Sequence, residues 1–417
     1  MAFRTAALGA LLLAGVLPLS AQPVLPDSAA LSLPDLLRLA DENPSVRAAR
    51  LGAEAQARAA DAAGRRPDPM ASVMAFPEPV VTARGSQRTQ WRVEQRLPWP
   101  GTLGLRADAA RAGAARLQAD ADALALDLLL DVQRAYFDGA RAAEQLALLR
   151  PFRERLDLFA DAAAVRYEVG RGPQAALLQI GLERARLAER EVVLEADVDD
   201  ARYRIGQLLD LPNVQVDFEL ADALALRELD LDDLPRPEIA ALDAAQARAE
   251  AEVALAQKAF YPDLGVGLTY FDIADRDVPP TADGADAFAV SVMATIPLDR
   301  AGRRASLEAA QLRRAQLDAQ RDALDARLQA DADRERRQVD AAARTLALYR
   351  DQLVPQADAA VESALSAYTT GEADYTVVLD AERARFQVNT GLADARFRLL
   401  AARARLDRAL GVPATSP

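Results

Sequence analysis

The chain carries one pattern of segments twice, and a duplication of this length constrains the architecture before any single residue does. Asn43-Pro44-Ser45-Val46 opens a helical run that stops at Pro69, and Arg236-Pro237-Glu238-Ile239 opens another that stops at Pro262. A strand-like segment ending in Leu97-Pro98 has its counterpart in one ending in Ile296-Pro297. Tyr167-Glu168-Val169-Gly170 corresponds to Tyr368-Thr369-Thr370-Gly371, and Leu211-Pro212 to Val412-Pro413, at offsets of 193 to 201 residues. Each copy reads as a helix, two strands, a very long helix, a tip and a returning helix. The division expected is a leader (1–21), a first repeat (22–212), a linker (213–235), a second repeat (236–413) and a short tail (414–417).

Met1-Ala2-Phe3-Arg4, an apolar run from Ala6 to Leu19 and the small pair Ser20-Ala21 read as a secretory signal peptide cut after Ala21. The run is shorter than the ~20 residues a membrane-spanning helix needs. The chain has no cysteine, so it is neither a disulfide scaffold nor a substrate for N-terminal lipid attachment. It also has no histidine, which removes Ser-His-Asp and Cys-His nucleophilic sites and His-ligated zinc. Acidic residues alternate with arginine along helical segments, as on a solvated face. No catalytic residue, cofactor or metal site is therefore expected. With a formal charge of -13 and no basic stripe with interleaved aromatics, nucleic acid is not an expected partner.

Between Gly101 and Tyr167 the only helix-breaking residue is Pro151, and between Gly302 and Tyr368 it is Pro355. Each stretch predicts a helix of roughly 100 Å at 1.5 Å per residue, bent at most by its proline. Ala110, Leu117, Leu124 and Leu128 recur as Ala310, Leu317, Leu324 and Leu328, continued by Val339, Leu346 and Leu353. Steps of seven and four mark a narrow coiled-coil seam, too thin for a lone helix. Val169-Gly170-Arg171-Gly172-Pro173 and Thr370-Gly371-Glu372 then reverse the chain. Helices from Gln174 to Leu209 and Ala373 to Leu410 run back, so each half forms an elongated helical hairpin.

Four strands are expected. Phe288, Val290, Val292, Ala294 and Ile296 alternate with polar or small residues, and Leu264, Val266, Leu268 and Tyr270 share one face. Trp91, Val93 and Leu97 oppose Arg92, Glu94 and Arg96, and Met70 to Phe76 is the weakest of the four. Apolar-out, polar-in alternation marks a membrane β-barrel strand, although a water-soluble sheet with one buried face has the same period. Trp91, Trp99, Tyr261, Tyr270 and Phe271 stand where aromatic girdles would sit. Pro77 to Arg88 and Asp272 to Ala285 read as exposed loops. Four strands cannot close a barrel, and an open edge cannot sit in lipid, so membrane entry demands several copies.

These residues resemble the TolC-like outer-membrane efflux channels of Gram-negative bacteria over essentially the whole mature chain. The resemblance rests on Asn43-Pro44, Pro69, Tyr261-Pro262, Leu97-Pro98-Trp99-Pro100-Gly101, the two Tyr-x-x-Gly tips and Leu379-Asp380-Ala381-Glu382, in order and in both repeats. It implies a mainly α fold with a small membrane β part. Four strands per protomer would build a trimeric twelve-stranded outer-membrane barrel, and duplicated helical hairpins a periplasmic α-barrel. Implied partners are outer-membrane lipid, two further copies, a periplasmic adaptor protein and an inner-membrane pump. The adaptor-docking candidates are Tyr167, Gly170, Arg171, Tyr368, Gly371 and Glu372. Asp380 matches an acidic gate position, with Val377 and Asp374 beside it. The Leu97–Gly101 motif looks like the metal-efflux subgroup. Drug efflux, type I protein secretion and a periplasmic coiled-coil scaffold are the competing readings.

Overall fold

A computed structural model describes residues 30–170, 173–219, 236–275 and 283–412. The leader at 1–21, Arg171, most of the linker and the tail lie outside the described residues. The first repeat opens with a short helix that the sequence pattern did not announce, α1 (Leu33–Asp41), whose start is fixed by a Ser32–Asp35 capping box. In α2 (Pro44–Ala63), Asn43 accepts a hydrogen bond from the Ser45 amide and donates one to the Leu208 carbonyl at 3.0 Å. Strands β1 (Met70–Thr82) and β2 (Gly85–Leu97) follow, then α3 (Thr102–Glu168) and α4 (Gln174–Leu209). The second repeat runs α5 (Pro237–Lys258), β3 (Asp263–Ala274), β4 (Ala287–Thr295), α6 (Arg300–Leu348), α7 (Val354–Thr370) and α8 (Tyr375–Leu410).

The 67 residues of α3 pass through Pro151 without interruption, giving one helix about 100 Å long. The equivalent stretch differs. A π-helical turn at Tyr349–Leu353 separates α6 from α7 just before Pro355. The wider turn makes room for the proline ring, which would otherwise strike the carbonyl one turn back. Gly391 of α8 lies under this turn, and a Cβ built there would come within 2.5 Å of the Tyr349 ring. The glycine thus lets a bulged helix lie flat on its neighbour.

The helices nearest the sheet stand in the order α2, α3, α5, α6, the same order as the strands they feed. Here α3 presents Ala107, Gly113, Ala114, Ala121 and Ala125 inward, which lets the backbones approach closely. The leucine seam expected from the sequence is not that buried stripe. Leu117 and Leu124 are 41% and 40% exposed, while Leu317, Leu324 and Leu328 are half-buried. Alanine forms this contact near the sheet, Leu117 and Leu124 face outward from it, and of the α6 seam Ala310 and Val339 are buried.

Toward the tips, α3 packs on α4 and α8, and α7 on α8. An apolar core of Leu149, Phe152, Leu156, Ile180, Leu187, Leu194 and Leu379 joins the two hairpins, with Phe152 stacked on Phe386 at 4.8 Å. Ion pairs flank this core, and they come from a duplicated Glu-Arg-Ala-Arg motif at 183–186 and 382–385. Glu382, 4% exposed, holds Arg155 at 3.0 Å and Arg385 at 2.9 Å. Glu183 holds Arg383 at 3.0 Å, and Arg184 reaches Asp157 at 2.9 Å. Burial pulls the Arg155 guanidinium down from its ordinary range, and the Glu382 carboxylate opposes that shift. The pairs link α3, α4 and α8 in one layer.

Two outcomes test this packing. Gly391→Ala should cost about 1–3 kcal/mol through overpacking, read as a lower apparent Tm, and Tyr349→Ala in the same chain should restore part of it. Glu382→Gln leaves two guanidinium groups without their carboxylate. Because Arg155 is about a third exposed, the loss should be about 2–3 kcal/mol, below that of a fully buried pair. Arg155→Met/Glu382→Leu should recover most of it; a melt in which the double variant is no better than Glu382→Gln would contradict the assignment.

Candidate functional site

The four strands form one antiparallel sheet in the order β1-β2-β3-β4. Its register sorts every side chain to one of two faces. Val73, Trp91, Tyr270 and Phe288 align in one cross-strand row, and Ala71, Val93, Leu268 and Val290 in the next. Gln95, Val266 and Val292 follow, then Leu97, Leu264 and Ala294. Most of these are exposed, from 39% at Leu264 to 80% at Val290. The opposite face carries Ser72, Arg92, Thr269 and Ala289, then Met70, Glu94, Gly267 and Ser291. An apolar side turned outward and a polar, small-residue side turned inward is the reverse of a water-soluble sheet. Among the described residues no helix is long and apolar enough to cross a membrane.

Aromatic rings bound the apolar band at both ends. Trp91, Tyr270 and Phe288 form one level, with Tyr270 and Phe288 at 5.1 Å. At the helix-connected end Trp99 stacks on Tyr261 at 4.9 Å, and the Trp99 amide donates to the Asp263 carboxylate. Phe271 is a correction: its register with Ala287 and Gln90 puts it on the polar face, not in the outer girdle.

The strands are also longer than expected. Pro77 to Arg88 is not an exposed loop, because β1 runs to Thr82 and β2 begins at Gly85. Pro77 and Pro79 sit where the register jumps between Ala75 and Val80. On the edge strand a bulge absorbs the missing amides, so proline does not end it. Likewise Asp272 to Ala274 belongs to β3 rather than to a loop.

At the far end of the helices, both tips turn on a glycine with positive φ, 70° at Gly170 and 78° at Gly371. Tyr167 is 45% exposed, and Glu372 is exposed beside Gly371. Tyr368 is not its equivalent, being half-buried under the Arg166 guanidinium at 5.3 Å from the ring centre. Arg166 also approaches Asp374 at 3.9 Å, so one arginine ties the end of α3 to both sides of the second tip. Exposed Leu158, Val165, Val169, Leu178 and Leu182 leave this end of the molecule apolar.

Asp374 caps α8 through the Tyr375 amide, and Val377 and Asp380 follow at steps of three on the same exposed side. Asp380 pairs with Arg383 at 3.1 Å, and Arg383 in turn holds Glu183. The sequence-derived gate residues therefore share one face, backed by the Glu382 layer. Arg155 was not singled out from the sequence, and Glu382 was named only as the end of the Leu379–Glu382 motif, with no role given to it. The duplicated Glu-Arg-Ala-Arg motif was the available signal for Glu382; nothing marked Arg155 among so many arginines.

Residues 234–412 match the family model of the outer membrane efflux protein. No curated protein matches the sequence. Among solved structures, a membrane protein from Pseudomonas aeruginosa superposes with TM-score 0.73 at 19% identity, covering 91% of this chain and 90% of that one. The outer membrane protein VceC from Vibrio cholerae gives TM-score 0.73 at 20% identity over 91% and 96%. CusC, described in connection with transmembrane channel formation, gives 0.71 at 19% identity over 91% and 92%. The second repeat thus matches the outer membrane efflux protein model, and both repeats together share the fold of these outer-membrane channel structures.

Proposed function

We propose that three copies close into one continuous duct that works with a periplasmic adaptor and an inner-membrane pump. The observation that carries this is the open four-stranded sheet with its apolar face outward. Both β1 and β4 have an unpaired edge within the protomer, and lipid offers those amides and carbonyls no partner. Two copies would make eight strands, whose interior side chains fill. Three make twelve, wide enough to leave a passage lined by Arg92, Glu94, Thr269 and Ser291.

The tips are the adaptor-docking ends in this reading. Tyr167, Gly170, Arg171, Gly371 and Glu372 would meet the partner, and Tyr368 would shape the second tip from within. The exposed leucines and valines around them supply apolar area for such a contact. Asp380 and Asp374, repeated by symmetry with Val377 between them, would ring the periplasmic entrance and favour cations. We favour metal cations as cargo on the resemblance of Leu97-Pro98-Trp99-Pro100-Gly101. In the fold this segment turns the strand into the helix, so it serves any cargo equally well; drug or protein export is the second reading.

Reconstituted in a planar bilayer, the protein should form discrete pores, and Asp380→Ala should raise single-channel conductance at least 1.5-fold. A protein that forms no pores would sink the duct reading, and unchanged conductance the gate. Deleting the gene should lower tolerance to zinc, copper or cobalt at least fourfold; unchanged metal tolerance with a new drug sensitivity would move the cargo to the second reading.

A further inference from the structure

The junction between sheet and helices holds more arginines than acids, and four of the arginines form no ion pair within the protomer. Because the sheet is antiparallel, the start of β1 and the end of β4 lie at the same end, on opposite edges. Arg65 and Arg66 come just before β1, separated from it by Pro67, the single exposed acid Asp68 and Pro69, and Arg300 and Arg304 follow β4. All four are exposed, and among the described residues none has an ion-pair partner. Further along α6, Arg314 holds Glu250, Arg321 holds Asp243 and Arg334 holds Asp331, while Arg313, Arg337 and Arg344 are likewise without an ion pair but lie away from the sheet edges. Asp299, the acid nearest Arg300, is occupied in capping α6 through the Gly302 amide at 2.9 Å.

Closing the barrel pairs the β1 edge of one copy with the β4 edge of the next. That step, which rests on the closure proposed above, sets Arg65 and Arg66 of one copy beside Arg300 and Arg304 of its neighbour. Like charges then gather at each seam of a chain whose overall charge is -13. Directly above them, on the outward side, Ile296 and Leu298 are 70% and 85% exposed. Cations below an uncovered apolar patch match a phosphate headgroup with acyl chains attached. We propose that each seam between copies binds an anionic glycerophospholipid of the periplasmic leaflet. The arginines hold its phosphate while Ile296 and Leu298 lie against its chains, and the lipid neutralises the repulsion that closure creates.

Native mass spectrometry of the full-length protein, after exchange with phosphatidylglycerol and phosphatidylcholine of equal chain length, tests this. The wild-type trimer should retain phosphatidylglycerol at least fivefold over phosphatidylcholine. Raising salt from about 0.1 to 0.5 M, which shortens the screening length, should reduce that preference at least twofold. Arg65→Gln/Arg300→Gln/Arg304→Gln should lower phosphatidylglycerol retention at least threefold, whereas Arg150→Gln/Arg337→Gln/Arg344→Gln should leave it within 1.5-fold. Equal retention of the two lipids by the wild-type trimer, or equal losses in the two variants, would overturn the lipid site and leave closure standing. A chain that never appears as a trimer would overturn closure itself. If the seam variant fails to assemble, the salt dependence of the wild type decides.

Discussion

Hydrogen-bond satisfaction in lipid is the constraint on which the rest of this molecule depends. A sheet of four strands has two open edges, and its register turns valines, leucines and aromatic rings away from the protein body. Neither property is tolerable for a protomer alone, in water or in membrane. In the proposed trimer both are resolved, because copies join edge to edge with the apolar face against acyl chains. The helices below stand in the same order as the strands above, so joining the sheet edges also aligns the outer helices α2 and α6 of adjacent copies. The leucines that stay exposed within one protomer are then available to those neighbours.

Length and close packing are the second theme. A helix of 67 residues has no compact core to rest on, so it is held along its side. Near the sheet the contact is made by alanine and glycine, which bury little area but allow close approach. Toward the tips, where two hairpins must share one body, larger residues and ion pairs take over. Glu382 sits in the middle of that layer, with arginines from α3 and α8 around it. Such a layer has one well-satisfied arrangement, and removing one partner is costly. It stands directly behind Asp380, so the geometry of the proposed entrance depends on it.

The repeat and the strand alternation made the hairpins and the four strands legible in the sequence. Periodicity carries that information locally: a period of two assigned Trp91 and Val93 to one face without any knowledge of their neighbours. What failed were features settled by non-local contact. Pro77 and Pro79 read as a loop because proline usually ends strands, yet an edge position and a bulge accommodate them. Pro355 was expected to bend the helix at most, and the π-helical turn that precedes it, with Gly391 beneath, was not foreseen.

By itself, then, the sequence determined the element types, their order, their twofold repetition and which strand face is apolar, because each follows from residue spacing along the chain. Tertiary structure alone decided that alanine rather than the leucine seam lines the helix contacts nearest the sheet. It also decided that Tyr167 is exposed while Tyr368 lies under Arg166, and that Glu382 anchors Arg155 from 227 positions away. Spacing cannot specify which of several amphipathic faces meets a given neighbour. That choice is made by the packing of whole helices against one another, after the local periodicities have been satisfied.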